Sequence, residues 1–391
     1  WVSIHMPAEM TEGWMAEYIS GRLKASGIPP GLVAQTISTA QDVLSRYKNQ
    51  NTKIGLVRIK MSKPDVDEFL AEIVRMKNAL NNELISRAAY YTIGMGLRDE
   101  ERAGMQARAP PVNYVQRPDG VYFNAGDVAY KTAYPDTATA LKQRYIAPIA
   151  EVTEVYEAVL SGLANGRRVF LFEGLPGAGK TKLGEDIALR LNLRSRPLSM
   201  YNDIDIGDLI GRIEHVGEGR FRITCARDEQ QRFLSEFLDY LKNGGVYIFD
   251  EGNISRSSVE VISFLTQILR GQPIDLGVYH NGIEISHSVV SPHKDFHAFV
   301  TFNPSDTTKE RNEFPLSIDW FAKKIWVTDD WSRGSYRAFI DYYLDKPSSL
   351  SKTEKDKLID LHVLMRGVLN DVTSSRHFAN VLKLAAGILK S

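Results

Sequence analysis

Apolar residues recur three and four positions apart over residues 11–105, which is the spacing of one face of an α-helix. One such run is Phe69, Ile73, Met76 and Leu80. Prolines and a glycine then crowd residues 107–120 and interrupt the pattern. We therefore predict an N-terminal helical region at 1–107 and a linker at 108–145.

Further along the chain, short apolar runs with the composition of buried strands alternate with helical stripes. The runs are 169–172, 246–249 and 296–302. This alternation is typical of an α/β domain with a doubly wound parallel sheet, which we place at 146–327. The pattern then becomes helical again, and Ser351 with Glu354 forms a capping box, so we predict a small helical lid at 328–391.

Two extended segments, 274–279 and 283–289, flank Asn281-Gly282. Asn-Gly is the strongest short-range signal of a β-hairpin, because both residues tolerate the positive φ angles of a tight turn. The sequence therefore predicts a hairpin inserted before the strand at 296–302.

The strand at 169–172 runs into a glycine-rich loop with the spacing Gly-x4-Gly-Lys-Thr. Glycines let backbone N–H groups approach phosphates, the lysine reaches the terminal phosphates, and the threonine hydroxyl is placed to bind Mg2+. A helical face follows, so strand, loop and helix come in the order that this motif requires. We predict a nucleoside triphosphate site formed by Gly174, Leu175, Pro176, Gly177, Ala178, Gly179, Lys180, Thr181 and Lys182.

Two carboxylates, Asp250 and Glu251, directly follow the buried strand at 246–249. The first, with Thr181, can hold Mg2+ and its hydration shell, and the second can orient and polarise an attacking water. The pair therefore predicts transfer of a phosphoryl group to water, with Asp250 as a metal residue and Glu251 as a catalytic residue.

Composition narrows the functional classes only a little. The chain has 391 residues, 43% hydrophobic and 25% charged, as in ordinary globular proteins of two or three domains. Lys+Arg and Asp+Glu both number 48, so the charge balance does not indicate nucleic acid or an anionic membrane as a partner. The single cysteine, Cys225, excludes an intramolecular disulfide. No apolar run approaches the roughly 18 residues needed to cross a bilayer, so we expect a cytoplasmic or nuclear protein.

The loop at 174–181, the segment Asp250-Glu251-Gly252-Asn253 and the strand end at 299–304 together resemble the Walker A, Walker B and sensor 1 motifs of AAA+ ATPases. The segment 203–212 is similar to one in the helix-2-insert branch, which includes MoxR-like ATPases, McrB, midasin and dynein. The resemblance implies an insert at 216–224 and a hairpin before sensor 1. It also implies ATP and Mg2+ as cofactors, and Asn303 as a catalytic residue that positions water together with Lys180 and Glu251.

Two features of the C-terminal part concern the γ-phosphate. Arg376 is similar to the arginine at the start of the sensor 2 helix, and the resemblance implies that it contacts the γ-phosphate from the lid. The segment after sensor 1 usually carries an arginine finger for a neighbouring subunit, but Trp320 stands at that place here. Arg311 is the alternative finger within this chain; otherwise another subunit or module must supply one.

The resemblance implies an ATPase that remodels a protein partner or assembly, in a homo-oligomeric ring or a tandem AAA+ array. Residues 1–106 resemble the lid of a preceding AAA+ module, and an unrelated helical domain is the competing interpretation. Two other functions stay open. A nucleotide-dependent oligomeric scaffold with weak or no turnover is favoured by Trp320, and a McrB-like nucleic-acid translocase is not favoured by the neutral charge balance.

Overall fold

The structure is a computed structural model. It describes residues 11–54, 61–105, 113–125, 128–132, 149–201, 204–215, 221–226, 235–280, 283–304, 321–343 and 350–368, and the single residues 312, 318, 378, 380 and 382. The helices are α1 (Glu12–Ala25), α2 (Pro30–Ile54), α3 (Lys63–Arg75), α4 (Asn82–Ala89) with a π-helical turn (Tyr90–Gly94), α5 (Asp99–Arg102), α6 (Ala150–Ala164), α7 (Lys180–Arg190), α8 (Gly207–Ile210), α9 (Glu236–Asn243), α10 (Arg256–Phe264), α11 (Thr266–Leu269), α12 (Arg333–Tyr343) and α13 (Lys352–Val368). The strands are β1 (Asn113–Arg117), β2 (Gly120–Ala125), β3 (Val128–Lys131), β4 (Val169–Glu173), β5 (Ser195–Ser199), β6 (Arg212–His215), β7 (Phe221–Ala226), β8 (Gly245–Asp250), β9 (Ile274–His280), β10 (Ile283–Val290), β11 (Phe296–Phe302) and β12 (Lys323–Trp326). None of the helices in these ranges combines the length and the apolar character needed to cross a bilayer.

Five parallel strands form the central sheet in the order β12-β4-β11-β8-β5. Every residue of β4 and β11 is buried, and so is β8 up to its last residue, Asp250. Continuous buried strands of this kind are typical of a parallel sheet that is covered on both faces. The carboxyl ends of β4, β8 and β11 therefore lie side by side at one edge of the sheet, where ligands bind in open α/β folds.

Side chains that alternate along each strand contribute to two hydrophobic cores, one on each face of the sheet. In β4, Phe170 and Phe172 belong to the core that includes α6 and α7, whereas Val169 and Leu171 belong to the core that includes α9, α10 and α11. Phe299 packs edge-on against Phe170 and Phe172, with ring centroids 5.4 and 5.2 Å apart. This arrangement confirms the predicted α/β class with a parallel sheet and helices on both faces.

The N-terminal helices pack on β12, at one end of the sheet. Trp326 donates its backbone N–H to Met95 O across 2.7 Å and its indole N–H to Asp99 Oδ2 across 3.0 Å. Lys323 is buried at the same interface and forms an ion pair with Glu68 of α3. Helices α1–α4 therefore share one hydrophobic core with α6, α7 and the central sheet.

A three-stranded antiparallel sheet, β1-β2-β3, lies within the stretch 108–145 that the sequence predicts to be a linker. Pro118 lies in the turn between β1 and β2, where its missing N–H removes no hydrogen bond from the sheet. Val121, Phe123 and Ala125 are the buried side of β2. The linker prediction does not hold for residues 113–131, because this period-two apolar pattern outweighs the proline content.

The predicted hairpin before β11 is present, since β9 and β10 pair antiparallel. A second antiparallel pair is formed by β6 and β7. β6 ends directly before the predicted insert at 216–224, and β7 begins within it. The two hairpins join into one four-stranded sheet, because β7 pairs parallel to β9. Asn281, Gly282 and residues 216–220 lie outside the described residues.

Candidate nucleotide site

The glycine-rich loop joins the buried strand β4 to helix α7. Gly177 and Gly179 both have a φ of 84°, a left-handed conformation that glycine adopts without strain. Gly179 immediately precedes the first turn of α7, so the loop ends at the free backbone N–H groups of a helix N-terminus. A backbone of this form is suited to bind an anion with several oxygens, such as a polyphosphate.

Lys180 lies beneath this loop, and its ammonium makes three hydrogen bonds. It donates to Gly174 O at 2.8 Å, to Leu175 O at 2.9 Å and to Asn303 Oδ1 at 2.9 Å. The last of these joins the loop to the end of β11. Two residues that the sequence predicts to act together, Lys180 and Asn303, are therefore in direct contact.

Four carboxylates act electrostatically on the buried ammonium of Lys180. Burial lowers the pKa of Lys180 to about 8, because the charged form loses hydration, and the carboxylates oppose this change. They are Asp250, Asp329, Glu251 and Glu173, in decreasing order of effect. Glu173 is also close to two cations, with its carboxylate 2.8 Å from Lys324 Nζ and 3.9 Å from Arg98 Nη2. The site therefore combines four carboxylates with the cations of Lys180, Lys324 and Arg98.

The two predicted acids lie at the carboxyl end of β8, beside the loop. Asp250 Oδ1 accepts hydrogen bonds from Thr181 Oγ1 and from Thr301 Oγ1, each at 2.5 Å. Glu251 has a φ of 59°, which residues other than glycine rarely adopt, and its N–H donates to Thr301 Oγ1 at 3.1 Å. Backbone strain of this kind concentrates at functional sites.

Asn253 connects the acid pair to the segment that contains Asn303. Its side-chain Nδ2 donates to Asn303 O at 2.8 Å and to Asn312 O at 3.0 Å. Both Asn253 and Asn303 are buried. Asn253 therefore fixes the backbone of Asn303 relative to Asp250 and Glu251, which lie three and two residues before it in the same turn.

Three separate segments thus meet at one edge of the sheet. Lys180 and Thr181 come from the loop, Asp250 and Glu251 from the carboxyl end of β8, and Asn303 from the end of β11.

Lys182, which the sequence also assigns to the nucleotide, is exposed and pairs with Glu185 on the same helix, with Nζ and Oε2 2.5 Å apart. Pro176 is exposed at the tip of the loop, and Ala178 is buried. Arg376, Trp320 and Arg311 lie outside the described residues.

The oxygen donors at the site suit Mg2+. Thr181 Oγ1 and Asp250 Oδ1 are 2.5 Å apart and are both hard oxygen ligands. Over the residues that the structure describes, no group of three or more His, Cys, Asp or Glu side chains could hold a metal. Mg2+ at phosphate sites uses one or two protein groups plus phosphate and water oxygens, so this small donor set fits it.

Sequence reasoning assigned no role to Thr301, Asn253 or Asp329. A signal for Thr301 was present, because a hydroxyl in the apolar run at 299–302 needs a buried partner. Asp329 follows β12 and is brought near Lys180 only by the fold. No pattern in the sequence around Asp329 could have indicated that electrostatic interaction.

No family model and no curated protein matches this chain. Among solved structures, the chain is similar to a protein from Cytophaga hutchinsonii described as a candidate ATPase. The two are 19% identical with a TM-score of 0.29, and the match covers 58% of this chain and 54% of that protein. The chain therefore spans little more than half of that protein's length, and a likeness of this degree carries no information on activity.

Proposed function

We propose that this chain is a Mg-ATP-binding ATPase of the AAA+ type, and that its nucleotide cycle is coupled to remodelling of a protein or protein assembly. A ring of identical chains or a tandem array is the assembly that the sequence resemblance implies. The observation that most supports the proposal is the hydrogen bond from Lys180 Nζ to Asn303 Oδ1. It joins a phosphate-binding loop to a buried amide beside two carboxylates, and this combination suits hydrolysis of a phosphoanhydride.

Each residue has a role that follows from its chemistry. The loop N–H groups and Lys180 bind the β- and γ-phosphates, and the helix N-terminus of α7 favours their negative charge. Glu251 orients and polarises the attacking water, and Asn303 donates to that water or to the γ-phosphate. Mg2+ held through Thr181 and Asp250 would offset negative charge that develops on the transferred group.

The charge of the site supports a requirement for a divalent cation. A nucleoside triphosphate brings several negative charges to a position where Asp250, Glu251, Asp329 and Glu173 already act on Lys180. Because like charges in a partly buried site repel strongly, the nucleotide alone is expected to bind weakly. Nucleotide with Mg2+ is expected to bind much more tightly.

The contact between Gly174 and Val327 supports the proposed coupling to the C-terminal helices. Val327 donates its N–H to Glu173 O at 2.7 Å, and a Cβ on Gly174 would clash with Val327 O. The phosphate loop therefore touches the start of the segment that leads to α12 and α13. A shift of Gly174 on nucleotide binding would therefore act on this segment, because the two backbones are closely packed.

Steady-state hydrolysis and binding of a fluorescent ATP analogue test the proposal. Lys180→Met is expected to abolish turnover and to weaken binding, whereas Glu251→Gln is expected to retain binding and lose turnover by 100-fold or more, on the order expected for a general base. Glu260→Gln is the matched control, because Glu260 lies exposed on α10 in an ion pair with Arg256. Equal turnover in wild type and Glu251→Gln would contradict hydrolysis by this site.

A nucleotide-dependent scaffold is the second candidate, and one sequence feature favours it. Trp320 stands where the resemblance places an arginine finger, so activation of a neighbouring site is in question. A scaffold would bind nucleotide and change its oligomeric state without turnover in wild type. Sedimentation with and without Mg-ATP, combined with the hydrolysis assay, separates the two candidates.

A further inference from the structure

Thr301 is a buried hydroxyl on β11, two residues before Asn303, and is 1% exposed. Its Oγ1 donates to Asp250 Oδ1 at 2.5 Å and accepts the N–H of Glu251 at 3.1 Å. Its backbone O accepts the N–H of Gly252 at 2.8 Å. One residue on the neighbouring strand therefore binds three consecutive residues of the turn that carries both acids.

The contact with Asp250 differs from the one that Thr181 makes. Both hydroxyls donate to the same carboxylate oxygen, at 2.5 Å in each case. Thr181 belongs to the phosphate loop, and its oxygen is also a candidate metal ligand. Thr301 lies on β11 in the central sheet, so its bond to Asp250 does not involve a residue of the phosphate loop.

The contact with Glu251 concerns a strained backbone. A φ of 59° is unfavourable for a residue with a side chain, so surrounding contacts have to hold it. The bond from the Glu251 N–H to Thr301 Oγ1 is such a contact. Because the backbone angles of Glu251 set the direction of its side chain, this bond also aims the carboxylate.

We infer that Thr301 is a positioning residue for the reaction, which holds Asp250 for the metal and Glu251 for the water through a single hydroxyl. This inference rests on the proposed function. In this role Thr301 acts through the two acids that it binds, Asp250 and Glu251. Loss of the hydroxyl should impair the chemical step and the response to Mg2+, and leave metal-free nucleotide binding intact.

The test compares Thr301→Val, Thr301→Ala and Thr301→Ser. Removal of a hydrogen bond to a charged group is expected to lower kcat by about 10- to 100-fold in the Val and Ala variants. The KM for Mg-ATP should rise by about 10-fold in the same variants, since part of the affinity that depends on Mg2+ is lost. Thr301→Ser keeps the hydroxyl and should restore kcat to within about threefold of wild type.

A binding measurement supplies a second readout. Dissociation constants of a fluorescent ATP analogue are measured with Mg2+ and with EDTA for each variant. The gain in affinity that Mg2+ gives should shrink by about 10-fold in Thr301→Val and Thr301→Ala, and the EDTA value should be unchanged. Thr153→Val is the matched control, because Thr153 is a buried threonine on α6 whose hydroxyl donates only to Ile149 O, at 3.2 Å.

Several results would overturn the inference. One is a wild-type kcat and Mg2+ response in both Thr301→Val and Thr301→Ala. Another is an equal loss in Thr301→Ser, which would assign the effect to packing of the methyl group. If wild type binds nucleotide without turnover, hydrolysis is refuted and the Mg2+ response alone decides the role of Thr301. If wild type binds no nucleotide, the proposed function and this inference both fall.

Discussion

Lys180 donates a hydrogen bond to Oδ1 of Asn303 across 2.9 Å, from the phosphate loop to the end of β11. The other two donor protons of the ammonium are directed to carbonyl oxygens of the loop itself. A triphosphate that reaches Lys180 has to replace at least one of these bonds. Replacement of the bond to Asn303 releases the amide of Asn303 at the moment when a γ-phosphate is present.

The first prediction concerns the pH dependence of nucleotide binding. Burial lowers the pKa of Lys180 to about 8 in the free protein. Phosphate favours the charged form of Lys180, so the pKa of Lys180 is higher in the complex than in the free protein. The affinity for nucleotide is therefore highest below the pKa of the free protein, where Lys180 is already protonated. As pH rises through about 8, the affinity for Mg-ATP should fall, by at most tenfold per pH unit.

Titration of a fluorescent ATP analogue between about pH 6.5 and 9.5 measures this dependence. Lys180→Met binds less tightly at every pH and should lose the fall in affinity near the pKa of Lys180. A wild-type affinity that stays constant up to about pH 9.5 would show that Lys180 does not titrate in this range.

A second prediction separates binding from chemistry at Asn303. Asn303→Ala removes the side-chain acceptor of Lys180 and leaves the ammonium with the two carbonyl partners. ATP affinity should therefore be unchanged or slightly higher, whereas kcat should fall by about 100-fold, since a preorganised donor at the reacting group is lost. Isothermal titration and steady-state assays measure the two effects. Weaker ATP binding with normal kcat would assign Asn303 to ground-state binding instead.

A third prediction concerns the buried ion pair between the N-terminal helices and β12. Burial raises the pKa of Glu68 and lowers the pKa of Lys323, and their mutual attraction opposes both changes. Lys323→Met leaves Glu68 buried with Arg167 Nε at 3.7 Å as its remaining cation, and should destabilise the fold by about 3–5 kcal/mol. The double variant Glu68→Leu with Lys323→Met should recover most of this loss, because both charges are removed together.

Urea denaturation of the two single variants and the double variant measures the coupling. The exposed pair Arg256–Glu260 is the matched control, and its double-variant cycle should show no measurable coupling, as for most surface pairs. Additive losses at Glu68 and Lys323 would show that the two charges do not depend on each other for stability.

A fourth prediction concerns His297 of β11, which is 3% exposed and has neither ring nitrogen hydrogen-bonded. Burial lowers the pKa of His297 to about 4, from an ordinary value of 6.5; Asp295 opposes this and Arg168 adds to it. The unfolded chain therefore binds more protons between these values. The stability that depends on a neutral His297 is fully present above pH 6.5 and is lost as pH falls towards 4.

His297→Phe keeps a planar aromatic ring on β11 and cannot take up a proton. It should therefore lose less stability than wild type between about pH 7.5 and 5, measured by urea denaturation at both values. Parallel pH dependence in the two proteins would show that other groups account for the acid sensitivity.

Features that depend on neighbouring residues were predictable from the sequence. The phosphate loop, the three core strands and the 274–289 hairpin are local patterns. So is the capping box, in which Ser351 Oγ accepts the N–H of Glu354 at 3.3 Å and Glu354 Oε2 accepts the N–H of Ser351 at 2.8 Å. Each is encoded within a few residues, so a single sequence is sufficient to find it.

Features that depend on distant segments were not predictable in this way. The parallel pairing of β7 with β9 joins Ile223 to Leu276, and no local pattern encodes a partner so far along the chain. The same holds for Asp329 beside Lys180. The β1-β2-β3 sheet was not predicted for a different reason, because prolines interrupt the pattern around it, although Val121, Phe123 and Ala125 alternate with less buried positions as in a half-buried strand.

The packing of the N-terminal helices on β12 also protects an edge of the sheet from other chains. An edge strand with free N–H and C=O groups can pair with another protein and start aggregation. Here the N–H of Trp326 on β12 donates to Met95 O, and Glu68 of α3 forms an ion pair with Lys323 on the same strand. A fragment that begins at residue 146 would expose this strand together with an unpaired buried lysine. The smallest fragment of this chain that stays monomeric while it carries the nucleotide site should therefore retain the N-terminal helices.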